Sequence, residues 1–290
     1  MSAVSWPRMR RAVLLGTTGA MFVVLAGATY QGVATSLERR QLPHPGRLID
    51  VGGHQLHLDC VGEGQPTVVL EARALGMSAV WGWVQQDLAT RTRVCAYDRS
   101  GLGWSEAGDG DYAPSKAVDE LHLLLDRSLE ARPYILVGHE FGAALATAYA
   151  VRYRPELSAL ILIAAPEVGG GTGPSSSARF ADAWPWLART GILRATNLMA
   201  RRADGLPDTS AHALHAFLNR PDHLTRAAAE LSRWDDTVRL SAAAPLPSDL
   251  SILRLEDDNP TGAAVVNNEA EARTISAAIT NIIETVRTDR

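Results

Sequence analysis

The most one-sided stretch of the chain lies near its beginning. Ala12 to Val33 carries no charged side chain over 22 positions, and a helix needs about 20 apolar residues to cross a bilayer core. Arg8, Arg10 and Arg11 precede it. Three readings compete: a transmembrane anchor over 12–35, a signal peptide cut at the small-x-small site Ala26-Gly27-Ala28, or a soluble helix. The apolar run is longer than a signal core and continues past that site, which favours the anchor, with residues 1–11 as its leader. Arg39, Arg40 and Arg47 follow the run, so the positive-inside balance nearly ties. The short leader tips the orientation to a single pass with the folded domain extracytoplasmic. Ser36 onward is polar and holds Pro43 and Pro45, which predicts a stalk over 36–46.

Beyond the stalk, short apolar runs alternate with helical patterns. Arg47–Val51 and His54–Cys60 alternate around Gly52-Gly53, an early hairpin. Thr67–Glu71, Arg93–Asp98, Tyr134–Val137, Leu157–Ala164 and Leu250–Leu255 read as strands. Val80–Thr90 predicts a helix. Ser115–Ala131 places Val118, Leu121, Leu124, Leu125 and Leu129 at helical spacing. Helices are also expected from about 138 to 153, at 178–200, 209–240 and 269–286. Strands alternating with helices imply an α/β domain, a mostly parallel sheet covered on both faces. The glycines from Gly169 to Gly173 mark a connector and are no phosphate loop, because no Gly-Lys-Ser/Thr follows.

Composition narrows the function. The 290 residues are 46% hydrophobic and 21% charged, with a net charge of −4. That excludes a disordered polyelectrolyte and argues against a nucleic-acid partner. Two cysteines exclude a disulfide framework and a four-cysteine zinc site. No cofactor or metal is implied.

One stretch carries chemistry. Gly138-His139-Glu140-Phe141-Gly142 falls between a buried strand and a small-residue helix. It resembles the G-x-S-x-G nucleophile elbow of the α/β-hydrolase superfamily. Tyr97-Asp98-Arg99-Ser100-Gly101-Leu102-Gly103-Trp104-Ser105 is similar to that family's D-x-x-G-x-G-x-S turn, and Gly46 to Gly53 to its first hairpin. The resemblance covers residues 46–166 and, more loosely, 250–290. It implies an α/β-hydrolase fold with its core at 47–168 and 246–290 and a helical cap at 169–245. It makes Asp98 a structural residue of its turn. It also makes the strands of Cys60 and Cys95 neighbours, so these cysteines could form a disulfide or stay two buried thiols.

The reactive residues depart from the pattern. The elbow position holds Glu140, not serine. The family's histidine is expected after the last strand, but the eight histidines are His44, His54, His57, His122, His139, His212, His215 and His223. A rough alignment puts Ala263 in its place. After Thr67–Glu71, relatives show a glycine-rich oxyanion turn; here Arg73 replaces its first glycine. Glu256, Asp257 and Asp258 follow the late strand as candidates for the acid. Only about a dozen residues separate Leu255 from the terminal helix, so the last crossover helix is expected to be deleted, with Ala263–Val266 an edge strand at best.

Three readings follow. The first is a catalytically degenerate hydrolase in which Arg73 and Glu140 pair across the old active site, open to a small apolar ligand. The second is an active hydrolase using Glu140 as a carboxylate nucleophile on an ester, halide or epoxide, with a cap histidine, His212, His215 or His223, as base. The third is a membrane-tethered module that meets a protein partner through Phe180, Trp184 and Trp186.

Overall fold

The computed structural model describes residues 6–169, 176–256 and 265–288. Its first element is one continuous helix, α1 (Trp6–Gln41). The expected stalk is therefore helical through Gln41. Only the Pro43–Pro45 stretch is irregular, as proline dictates by removing N–H donors.

The domain opens on a hairpin, β1 (Arg47–Asp50) and β2 (Gln55–Val61). The Asp50 carboxylate accepts the Gly52 N–H at 2.6 Å inside its turn. β3 (Thr67–Glu71) follows, then a 3₁₀ turn over Ser78–Trp81, α2 (Gly82–Leu88) and β4 (Val94–Tyr97). Next come α3 (Pro114–Ser128), β5 (Tyr134–His139), α4 (Phe141–Arg152) and β6 (Leu157–Ile163). The run expected over 115–131 stops at Ser128 because Leu129 turns left-handed, with φ 61°.

The cap is a set of short helices: α5 (Trp184–Arg189), α6 (Ile192–Thr196), α7 (Asp208–Phe217), α8 (Pro221–Ser232) and α9 (Trp234–Ser241). The two long helical segments expected here are broken at Gly191, before Asp208 and at Arg220–Pro221. α9 packs on α4, so the chain returns to the core layer before residue 246. β7 (Ser251–Leu255) and α10 (Glu269–Thr288) close the fold.

The sheet order is β1-β2-β4-β3-β5-β6-β7. β2 runs antiparallel to β1 and β4, and every other pairing is parallel. β3, β4 and β5 are buried on both faces, the expected state of apolar strands under helices. α3, α4 and α9 cover one face, while α2 and α10 pack together on the other. This is the α/β-hydrolase fold. Among the described residues no strand follows β7. Val265 and Val266 lie in a 3₁₀ turn, not in an edge strand; Ala263, Asp257 and Asp258 lie outside the described residues. Cys60 and Cys95 face each other across β2 and β4 and form a disulfide.

Candidate active site

The sharp turn from β5 into α4 places Glu140. Its backbone sits at φ 47°, ψ −114°, a region L-residues rarely occupy and that costs on the order of 1–3 kcal/mol. Two glycines make the turn possible. A Cβ on Gly138 would lie 2.5 Å from the Gly142 carbonyl oxygen, and one on Gly142 2.5 Å from that of Ala72. The elbow geometry is thus present, with glutamate at its apex. The Glu140 carboxylate is 33% exposed, with the His139 Nε2 at 3.8 Å.

His139 is fully buried and neither ring nitrogen has a hydrogen-bond partner. Burial pushes its pKa down to about 4; Glu140 works against that shift and Arg73 adds to it. The ring is neutral at pH 7 and shielded from any water that would need activating.

Arg73 stands in the loop after β3. No hydrogen bond or ion pair joins it to Glu140, so the expected pair is not formed. Its Nε is buried without a partner. Arg202 is half-buried in the cap with its guanidinium over the Trp184 ring. Burial lowers its pKa, the Arg73 charge lowers it further, and Glu140 opposes both. Two arginines with no ion pair among the described residues and one carboxylate therefore share the electrostatics of the elbow.

What holds the oxyanion loop is Arg99, a residue the motif contained but for which we expected no role. It is 4% exposed. It donates to Glu71 at 2.5 Å, to both Glu230 oxygens at 2.6 and 2.9 Å, and to the carbonyls of Ala72 and Arg73 at 2.6 and 3.0 Å. Tyr97 donates to the other Glu71 oxygen, and the guanidinium lies 5.6 Å from the Phe141 ring centroid. Glu71 ends β3 and Glu230 lies in α8, so one cation ties sheet, loop, elbow and cap. The missed signal was Glu230, an acid on the apolar face of α8 beside Ala227 and Leu231; a buried acid requires a partner.

Asp98 is structural, as expected. Its carboxylate accepts the N–H groups of Ser78 and Trp104 at 2.6 and 2.9 Å and meets the His57 Nδ1 at 3.0 Å. The His57 Nε2 lies 2.5 Å from the Pro45 carbonyl. Both partners are acceptors, so both nitrogens must donate and the ring is an imidazolium. Burial opposes that charge, but Asp98 outweighs it and the His57 pKa is raised. Burial likewise opposes the Asp98 charge, and His57 and the N–H donors bring its pKa below the usual value.

Of the three cap histidines, His212 is exposed on α7 and the other two are engaged elsewhere. His223 accepts the Gly103 N–H on Nδ1 and donates from Nε2 to the Leu75 carbonyl; burial lowers its pKa. His215 pairs with Asn197 at 3.0 Å. Glu256 is exposed. The aromatic patch divides, with Trp184 buried and Trp186 and Phe180 exposed. A cleft of about 450 Å³ lies nearby between α4, α9 and the loop after β6, lined by Thr147, Glu167 and Arg254. Cys60, Cys95 and Glu130 lie close enough for a metal, but the sulfurs are joined and Glu130 pairs with Arg93 and Arg47.

Comparison with known proteins agrees with this geometry. A sequence model described as the alpha/beta hydrolase family matches residues 74–284. The 2-hydroxy-6-oxo-2,4-heptadienoate hydrolase of Pseudomonas putida is 34% identical over 123 residues, 41% of this chain and 44% of that protein. A 2-hydroxymuconate semialdehyde hydrolase of Pseudomonas sp. is 34% identical over 124 residues, again 44% of its length. The chain thus spans under half the length of these curated relatives. Among solved structures, the Cif epoxide hydrolase of Acinetobacter nosocomialis superposes with a TM-score of 0.67 at 14% identity, covering 88% of this chain and 96% of that one. The enol-lactonase of Burkholderia xenovorans gives 0.58 at 19%, covering 82% and 100%.

Proposed function

The chain belongs to the alpha/beta hydrolase family, and from that premise we propose that it is a membrane-anchored member whose serine-hydrolase machinery has been dismantled. The observation that carries this reading is the pairing at the elbow. The nucleophile position holds Glu140, and among the described residues the one imidazole nitrogen within 4.0 Å of its carboxylate belongs to His139. That ring is sealed from solvent, and its pKa of about 4 makes it a weak base. A carboxylate has no hydroxyl proton to give up and forms no acyl-serine. The old site is left with Arg73 and Arg202 within electrostatic reach of Glu140, a binding surface for a small ligand with at least one polar group.

The anchor is α1. Met9–Gln41 is long and apolar enough to cross a membrane, and none of its most apolar 18-residue window is buried. The Cys60–Cys95 disulfide supports an extracytoplasmic domain, because disulfides persist in oxidising compartments.

A second reading has one observation in its favour. The elbow has a strained backbone and presents a partly exposed carboxylate, which supports Glu140 as the attacking group. The epoxide hydrolase likeness is one of fold. One experiment separates the two. The purified full chain and Glu140→Gln are incubated with short p-nitrophenyl esters, epoxides and haloalkanes. The degenerate reading expects the two proteins to match the buffer rate, and it expects Glu140→Ser to stay inactive for want of a base. Turnover present in the wild type and lost in Glu140→Gln would establish the carboxylate nucleophile instead.

A further inference from the structure

We propose that the cap face carrying Trp186, Ile192 and Leu198 is seated in the outer interface of the same bilayer that α1 crosses, with the adjoining Thr190–Gly191 turn reaching the edge of the hydrocarbon; the inference rests on α1 spanning that membrane. α1 does not end in a loose tether. Its second half docks on the cap. At Gly27 the backbones close so tightly that a Cβ would lie 2.1 Å from the Thr190 carbonyl oxygen. Gln31 is 4% exposed, donates to the Asn219 carbonyl at 2.7 Å and accepts from Arg194 at 3.0 Å. Glu38 takes both arms of the Arg194 guanidinium and lies 3.8 Å from Arg220. Arg39 meets Asp222 at 3.1 Å. The orientation of the cap is thereby fixed to the helix.

That contact sets a depth. A bilayer core takes about 20 helical residues at about 1.5 Å each. Counted from Arg11, the span ends near Gln31, and Gly27 sits about 6 Å inside its outer boundary. The Thr190–Gly191 turn against Gly27 must share that level. Sliding the span toward Gln41 sinks the cap deeper, and sliding it the other way drags Arg8, Arg10 and Arg11 into hydrocarbon, which is costly.

The exposed side chains of the segments flanking that turn suit the place. Trp186 is 70% exposed, Leu198 63% and Ile192 47%, large apolar groups that water alone does not favour. The Arg189 guanidinium lies 5.3 Å from the Trp186 ring centroid. Tryptophan with a snorkelling arginine is the pairing found at headgroup depth. The occupant is therefore phospholipid.

The test uses single cysteines. Both native cysteines are held in the disulfide, so an introduced one is labelled alone. Full-length Trp186→Cys, Ile192→Cys and Leu198→Cys carry an environment-sensitive nitrobenzoxadiazole label in phosphatidylcholine–phosphatidylglycerol vesicles. Val23→Cys reports the span. Leu129→Cys reports open water, because Leu129 is 90% exposed and adjoins Glu130, which pairs with Arg93 just before β4, away from the cap. The expected result is blue-shifted emission at 23, 186, 192 and 198, with dithionite quenching several-fold slower than at 129. Protection at 23 with quenching at 186, 192 and 198 as fast as at 129 overturns the cap contact and leaves the anchor standing. Fast quenching at 23 overturns both. Efficient cross-linking between copies through unlabelled Cys at 186 would assign the face to a second copy and also overturn the proposal.

Discussion

At the scale of single residues, charge is placed more by burial than by exposure. Arg99 sits between two buried carboxylates and two carbonyls, and His57 is made cationic by acceptors on both sides. The consequence for His57 has a definite sign. Its folded pKa lies above the ordinary 6.5, so the folded state holds a proton the unfolded state releases first. The stabilisation is complete below about 6.5 and is lost as pH rises through the folded value. Asp98 is the mirror case. Its folded pKa lies below 3.8, so its contribution is present above that value and is lost as pH falls through the folded one. His57→Gln keeps a donor for only one of the two acceptors and should cost about 1–3 kcal/mol near pH 6. Urea unfolding at pH 6 and pH 9 checks this. The wild type should lose stability across that interval, and the variant should lose less; equal slopes would mean the ring is neutral.

At the scale of elements, the decisive contact is between α1 and the cap. The side chains of Arg194 and Arg220 are only 10% and 6% exposed, and Glu38 is the acid between them. Glu38→Ala leaves two largely buried cations uncompensated. It should weaken the docking by about 1–3 kcal/mol, discounted for the exposure the groups retain. Limited trypsin digestion should then cut after Arg39, Arg40 or Arg47 several-fold faster, with thermal unfolding of the sheet core nearly unchanged. An unchanged digestion rate would mean that Gly27, Gln31 and the Arg39–Asp222 pair carry the docking without Glu38. None of this was legible in the sequence, for a physical reason. Periodicity reports that a helix is apolar or amphipathic, but not which distant segment neutralises one acid such as Glu38. The strands were legible because β3 to β6 are buried on both faces and read as unbroken apolar runs. The elbow was legible because its glycines answer to local backbone contacts. Among the described residues no ion pair within 4.0 Å joins Arg73 to Glu140; the Ala72 and Arg73 carbonyls are held by Arg99, a contact that neither alignment nor the helix dipole reveals.

At the scale of the whole molecule, the parts are joined at unequal strength. The parallel core from β4 to β6 is a continuous buried layer, yet the β1–β2 hairpin joins it along one antiparallel edge, β2 against β4. The disulfide sits in that seam. It closes a sequence separation of 35 residues, and chain-entropy arguments give such a crosslink about 2–4 kcal/mol. The seam also bears on α1, because Pro45 and Leu42, between α1 and β1, are held by His57 and Trp104 on either side of it. Loss of the crosslink should therefore loosen the hairpin and the base of α1 together. Replacing both Cys60 and Cys95 with Ala should lower the unfolding free energy of the full chain by that amount. Reduction of the wild type should reproduce the loss, and unfolded, unreduced wild type should show no thiol to an alkylating probe. A substantial thiol titre would place the domain on a reducing side of the membrane and reverse the orientation proposed for it.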